Sequence, residues 1–135
     1  MDKILRFLLK HCSFLYKEYG YKFTDSRVSD SFGGDAFLAL SSDSLKVRFC
    51  LDRGQLFFDF QSKHKNGSNS WYSIDIVRQL VTKEESYFSL MDKENAIFLK
   101  RNIDKIHELF SNQQIKETTK ELNKLKRIRS KKLFG

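Results

Sequence analysis

The fold is decided by residues 35–61, which read DAFLALSSDSLKVRFCLDRGQLFFDFQ. Apolar residues recur at every second position of this stretch, and two polar turn sequences, Ser42-Asp43 and Arg53-Gly54, divide it into three runs. Alternation with a period of two is typical of strands that bury one face. We therefore predict two consecutive hairpins that join three antiparallel strands into a meander.

The two turns predict registers that agree with each other. The first would pair Leu40 with Leu45, Leu38 with Val47 and Ala36 with Phe49, and the second would pair Leu51 with Leu56, Phe49 with Phe58 and Val47 with Phe60. Both registers place the same side chains on one buried face, namely Leu45, Val47, Phe49 and Leu51. Arg53 would need a positive φ in a two-residue turn, so a turn one residue longer is the alternative.

The opposite face of this meander mixes aromatic, charged and small side chains. Its members are Phe37, Ala39, Lys46, Arg48, Cys50, Phe57, Asp59 and Gln61. The predicted pairing places Arg48 between Asp59 and Phe37, and Cys50 opposite Phe57. Aromatic side chains beside an arginine suit protein interfaces and also suit stacking on single-stranded bases. We take Phe37, Arg48 and Phe57 as candidate protein-binding residues, which would instead be core residues if a helix covers this face.

A helix and a further strand precede the meander. Apolar residues at helical spacing predict about four to five turns of amphipathic helix that end at Gly20. Residues 21–28 then predict a first strand. Together with the three strands of residues 35–61, this strand completes a four-stranded antiparallel meander.

Two or three helices follow the sheet. Ser73 can cap a helix over 74–81, Asp92 can cap a longer helix over 93–111, and a last apolar stripe begins near residue 113 and frays near Ser130. The predicted class is therefore α+β, with one helix before the meander and a basic C-terminal helix after it. We expect residues 1–112 to form a single α+β domain and residues 113–135 to form a basic C-terminal helix or tail.

The positive charge is concentrated at the C-terminal end. Residues 116–135 hold eight lysines and arginines against two glutamates, which accounts for +6 of the net charge of +8. Cations at this density can neutralise phosphates. The candidate nucleic-acid-binding residues are Lys124, Lys126, Arg127, Arg129, Lys131 and Lys132. The alternative is that these charges only solvate a terminal helix.

The sequence contains no recognisable catalytic or metal-binding constellation. His11 and His107 lack a His, Asp or Glu four residues away on the same helical face. Cys12 falls on the apolar stripe of the first helix, and Cys50 lies near Arg48 without a neighbouring histidine. We therefore expect a non-enzymatic protein with no cofactor and no metal.

Charged residues interrupt the apolar N-terminal stretch, so neither a signal peptide nor a membrane span is predicted. We expect a cytoplasmic protein whose partner is another protein, without membrane contact. Nucleic acid bound by the C-terminal tail is the alternative partner. Self-association through the mixed sheet face is a further alternative, because a second copy would hide that face as effectively as a helix would.

One arrangement of motifs resembles a known family. An amphipathic helix leads into Tyr19-Gly20-Tyr21-Lys22-Phe23, the meander follows, and Trp71-Tyr72-Ser73-Ile74 begins a helix. Over residues 1–110 this order resembles small bacterial immunity proteins of contact-dependent or polymorphic toxin systems. The resemblance implies binding of a toxin domain without catalysis, and it carries no residue role. Inhibitors of nuclease toxins are usually acidic, so the net charge of +8 favours an acidic target instead.

Overall fold

The computed structural model describes residues 1–29, 35–85 and 89–134, and it contains a five-stranded antiparallel sheet in the order β1-β2-β3-β4-β5. The strands are β1 Lys22–Val28, β2 Ala36–Ser41, β3 Leu45–Asp52, β4 Gln55–Ser62 and β5 Tyr72–Ser73. The helices are α1 Asp2–His11, α2 Phe14–Lys17, α3 Ile74–Thr82, α4 Lys93–Leu109 and α5 Ile115–Phe134. The predicted α+β class is confirmed, and the sheet has five strands where four were expected.

Helices cover one face of the sheet, which we call the inner face. Its fully buried members include Leu45, Val47, Phe49, Phe58 and Phe60. The rings of Phe49 and Phe58 lie 4.8 Å apart edge to face, and Phe7 of α1 lies 6.3 Å from Phe49. On the same face, Phe110 stacks on Phe60 at 6.2 Å. The alternation read from residues 35–61 therefore predicted the core face correctly.

The second hairpin has the predicted register and the shorter of the two turns considered. Leu51 lies opposite Leu56, and the turn consists of Arg53 at φ 52° and Gly54 at φ 80°. Both positive φ values belong to a two-residue hairpin turn, whose twist matches that of the strands. The backbone N–H of Arg53 donates to Asp35 Oδ1 at 3.1 Å, which helps to hold this conformation.

The register of β2 on β3 differs from the prediction by two residues. Leu40 lies opposite Val47 and not opposite Leu45, because the loop is longer than two residues. Ser42 closes it: its backbone N–H donates to the carbonyl of Leu45 at 2.9 Å, and its Oγ accepts from the N–H of Leu45 at 3.2 Å. A shift by an even number of residues keeps every side chain on its predicted face.

The first helix is broken where the sequence predicted a continuous one. α1 ends at His11 and α2 begins at Phe14, with Cys12 at φ −128° between them. Leu8, Cys12 and Leu15 are nonetheless all buried. Their helical spacing continues across the break, so periodicity alone could not reveal it. Gly20, at φ 67°, ends this region as expected.

The fifth strand was not predicted, and it directly precedes α3, which begins at Ile74 as expected. Tyr72 pairs with Phe60 and Ser73 with Asp59, so the chain adds a two-residue strand to β4 before α3 begins. Such a short strand is below the length at which alternation can be recognised. The hydroxyl of Tyr72 donates to Asn123 Oδ1 at 2.7 Å, which links the sheet to α5.

The helices after the sheet follow the predicted order. Asp92 caps α4, since its Oδ1 accepts from the backbone N–H of Asn95 at 2.8 Å. α5 buries Ile115 and Leu122 completely and continues through Ser130 without ending there. Within the described residues, no helix is long and apolar enough to cross a membrane.

Candidate binding face and groove

A row of apolar side chains crosses the outer face, which is the sheet face opposite the helices. Phe37, Cys50 and Phe57 come from β2, β3 and β4 and lie directly opposite one another. Leu90 extends the row through its bridge to Phe57. All four side chains are partly exposed. Opposite residues in an antiparallel pair have Cβ atoms about 4.5–5.5 Å apart, so these side chains form one continuous strip, the apolar row.

The two-residue register shift decides the composition of this row. The sequence predicted Arg48 opposite Phe37, and that pairing is wrong: Arg48 lies opposite Ala39, and Cys50 lies opposite Phe37. The predicted pairs Cys50–Phe57 and Arg48–Asp59 are correct. Phe37 and Phe57 therefore share a row with a small apolar residue between them, and Arg48 belongs to the adjacent row.

Arg48 is held in place by other residues of the outer face. Its Nε donates to Asp59 Oδ2 at 2.9 Å, and its guanidinium carbon lies 4.2 Å from the centroid of the Trp71 ring. Only 32% of its side chain is exposed. A stacked and ion-paired guanidinium fixes the aromatic ring beneath it. Arg48, Asp59 and Trp71 therefore form one connected group on the outer face.

Trp71 is a member of the outer face that the sequence prediction missed. It was assigned to the start of a helix, but it precedes β5 and lies under Arg48 and within 5.8 Å of Lys46. A signal was present, because Trp71 and Ser73 alternate with the buried Tyr72. Three residues are too few to separate that alternation from chance.

The thiol of Cys50 is unsuited to nucleophilic chemistry. Burial raises its pKa, and this effect exceeds the opposing attraction of Arg48. Asp59 Oδ2 lies 4.0 Å from the sulfur and raises the pKa further. A protonated thiol is a poor nucleophile and a poor metal ligand. Among residues 1–29, 35–85 and 89–134, no cluster of His, Cys, Asp and Glu side chains is arranged to hold a metal ion.

A groove of about 780 Å³ lies between the outer face and the C-terminal half of α5. Phe57 and Ser73 contribute from the sheet, Asp75 from α3, and Lys126, Arg127 and Arg129 from α5. The sequence suggested two separate binding surfaces, one on the sheet and one on the basic tail. The structure brings them together, because Phe57 of the first and three cations of the second line the same groove. We call it the α5 groove.

A buried ion pair forms one side of the α5 groove. Arg129 Nη1 donates to Asp75 Oδ2 at 2.7 Å and to Ser73 Oγ at 3.0 Å. Asp75 is only 1% exposed, and Ser73 donates a second hydrogen bond to its carboxylate. Arg129 is one of the candidate phosphate-binding residues of the alternative, nucleic-acid-binding function. In the structure it holds α5 against α3 and β5.

The remaining candidate cations of α5 differ in their surroundings. Lys132 forms an ion pair with Glu85, and Lys126 lies 5.4 Å from the ring centroid of Tyr72. The others, Lys124, Arg127 and Lys131, are exposed. The predicted set is therefore not uniform, because Arg129 has a structural role and most of the others face solvent.

One further polar cluster lies on the helix side of the sheet. The hydroxyl of Tyr21 lies 2.7 Å from His107 Nε2, and the two rings are stacked with centroids 5.7 Å apart. Burial raises the pKa of Tyr21 and lowers the pKa of His107, although Asp104 acts on His107 in the opposite direction. The pair joins the start of β1 to α4, which is a structural role.

Comparison of the chain with protein-family models, with curated proteins and with solved structures finds no match. Function is therefore inferred from the apolar row, the Arg48–Trp71 stack and the α5 groove. Phe37, Arg48 and Phe57 are all partly exposed, and Arg48 is in addition engaged by Asp59 and Trp71.

Proposed function

We propose that this protein is a non-enzymatic interaction module that binds another protein through its outer face and acts in the cytoplasm. The observation that carries the proposal is the apolar row: Phe37, Cys50 and Phe57 are aligned on the sheet face opposite the helices and are partly exposed. Aligned aromatic side chains on a rigid sheet present contact area at low entropic cost, which is typical of interface centres.

The surroundings of the apolar row favour an acidic partner. Phe57 of the row also lines the α5 groove, where Lys126 and Arg127 are exposed, and the chain as a whole carries a net charge of +8. A positive rim around an apolar centre would steer and orient an acidic protein. The resemblance to immunity-type proteins suggests a toxin domain as that partner.

The test is partner capture by matched serine variants. Phe37→Ser and Phe57→Ser alter the apolar row, whereas Phe23→Ser alters an aromatic side chain of β1 that is 54% exposed and lies on the other sheet face. A protein captured from extract by the unaltered chain should bind each row variant about tenfold more weakly, corresponding to the loss of one interface aromatic. Equal capture by all three variants would exclude the outer face as the binding surface.

A second candidate function is nucleic-acid binding by α5, and one observation favours it. Lys116, Lys120, Lys124, Arg127 and Lys131 are all exposed and follow one another at intervals of three or four residues. This spacing aligns them along one face of the helix over about 22 Å. We call this set the cationic stripe. Such a stripe suits contact with a phosphate backbone.

Charge reversal tests this candidate better than truncation. Deleting residues 120–135 would remove the fully buried Leu122 and the Arg129–Asp75 pair, and so would damage the fold itself. The double variant Lys124→Glu/Lys131→Glu keeps both. If the stripe binds nucleic acid, this variant should lose salt-sensitive binding to mixed DNA and RNA oligonucleotides. Absence of oligonucleotide binding by the unaltered protein at low salt would exclude this function.

A further inference from the structure

The α5 groove combines charge and apolar surface in a way that the cationic stripe does not. Lys126, Arg127 and Arg129 line it, and the one carboxylate among the described residues of its lining, that of Asp75, is already paired with Arg129. Within the described lining, Lys126 and Arg127 therefore have no acidic partner. A negatively charged ligand in the groove could therefore form ion pairs with both cations.

Apolar side chains flank these cations on both walls. Phe57 of the apolar row lies on the sheet side, and Leu133 lies on the helix side with 57% of its surface exposed. A ligand that covered only the cations would leave both apolar groups in water. A ligand that presents an apolar side chain together with carboxylates would satisfy both kinds of surface.

Hydrogen bonds and an ion pair tie α5 to the neighbouring wall of the groove. Arg129 ties α5 to Asp75 and Ser73. Six residues earlier on the same helix, Asn123 accepts a hydrogen bond from the hydroxyl of Tyr72. Because both ties join α5 to the β5–α3 segment, they restrict movement of α5 relative to the sheet before any ligand binds. Preorganisation of this kind reduces the entropic cost of binding.

The composition of the lining favours a protein segment over a nucleic acid. A nucleic-acid strand places a charged phosphate at every nucleotide. Among its described lining residues the groove combines two cations that have no acidic partner with two apolar side chains, which matches a chain whose residues alternate between acidic and apolar. The cationic stripe, with its five exposed cations, has the composition that a phosphate backbone would require.

We infer that the α5 groove is a recognition site for an acidic, extended peptide segment, whose apolar side chain packs on Phe57 and Leu133 while its carboxylates bind Lys126 and Arg127. This inference rests on the proposed function, since the segment would belong to the protein partner. The groove would be one contact site within that interface, and the segment that fills it would carry both acidic and apolar side chains.

The experiment measures fluorescence anisotropy with a labelled peptide in which glutamates alternate with leucines and phenylalanines. Three control probes are used: the same peptide with glutamine for glutamate, the same peptide with serine for the apolar residues, and a single-stranded oligothymidylate of equal net charge. We expect the acidic apolar peptide to bind and the two altered peptides to bind about tenfold more weakly.

Two charge-reversal variants distinguish the effect of cations inside the groove from the effect of the overall positive charge of α5. Lys126→Glu/Arg127→Glu alters the groove, and Lys116→Glu/Lys120→Glu makes the same change of charge on α5 outside it. All four side chains are exposed, so both variants should fold. We expect the first variant to weaken peptide binding about tenfold more than the second.

Three results would overturn the inference: no binding of the peptide, equal weakening by both charge-reversal variants, or tighter binding of oligothymidylate than of the peptide. Phe37 lies on the apolar row outside the groove, so Phe37→Ser separates this inference from the proposed function. If Phe37→Ser weakens partner capture while Lys126→Glu/Arg127→Glu leaves peptide binding unchanged, the groove inference fails and the proposed function stands. If the groove variant alone weakens binding, the proposed role of the apolar row fails.

Discussion

Phe57 and Phe58 are neighbours in the sequence and have opposite environments. Phe58 is fully buried between Phe49 and Phe60 on the inner face, whereas Phe57 is partly exposed at the junction of the apolar row and the α5 groove. The same residue type therefore contributes to folding at one position and to a candidate interface at the next. The difference shows that in this sheet the face on which a phenylalanine lies, and not its hydrophobicity, determines its role.

The largest expected effect comes from truncating these two rings. Phe58→Ala should destabilise the protein by about 4 kcal/mol, because it removes a fully buried ring and leaves a cavity. Phe57→Ala should cost less, about 2 kcal/mol, because its ring is already partly exposed and the site can relax. Urea unfolding followed by circular dichroism measures both values. Equal losses would mean that the outer face is as much a part of the core as the inner face.

The next effect concerns the ion pair that holds α5 beside the outer face. Arg129→Ala should destabilise the protein by about 3 kcal/mol, because it leaves the carboxylate of Asp75 buried without its cation. Lys126→Ala, one turn away on an exposed position, should change stability by less than about 0.5 kcal/mol.

The double variant Arg129→Ala/Asp75→Asn sharpens this test. Removing the buried charge should restore part of the stability lost in Arg129→Ala, as measured in the same urea titrations. If Arg129→Ala behaves like Lys126→Ala, the second half of α5 is not anchored by this pair.

The smallest effect lies on the helix side, at Tyr21 and His107. Tyr21→Phe should cost about 1 kcal/mol at neutral pH, because it removes the hydrogen bond between the hydroxyl and His107 Nε2. Thermal unfolding at neutral pH measures this loss. Phe23→Leu, at an exposed position of the adjacent strand, provides a control that should remain near the stability of the unaltered protein.

The same pair predicts the direction of a pH effect. Burial lowers the pKa of His107 from 6.5 in the folded state, so the unfolded chain takes up the proton first as the pH falls. The contribution of His107 to stability is therefore complete above pH 6.5 and is lost as the pH falls through the lower pKa of the folded state. His107→Gln should flatten this part of the stability profile, and an unchanged profile would contradict the assignment.

Local patterns predicted those parts of the fold that depend on neighbours in sequence. The alternation in residues 35–61 predicted the buried face, and Arg53-Gly54 predicted both the turn and the register of β3 on β4. Asp92 predicted the start of α4. Each of these features is decided by side-chain periodicity or by a cap within one turn, so the information is local.

The errors occurred where a local pattern was compatible with more than one structure. The loop after Ser41 could close in two or four residues without moving any side chain to the other face, so the register of β2 stayed ambiguous. The break between α1 and α2 left the helical spacing of buried residues intact. β5 was too short to show alternation.

The sequence by itself determined the α+β class, the core face of the meander, the placement of Phe37, Arg48 and Phe57 on the opposite face, and the concentration of charge in α5. Only the tertiary structure decided that Phe57 and α5 share a groove, that Arg48 stacks on Trp71, and that Arg129 pairs with Asp75. Each of these contacts joins residues more than twenty positions apart. Their proximity follows from the packing of α5 against α3 and β5, which periodicity and residue type do not encode.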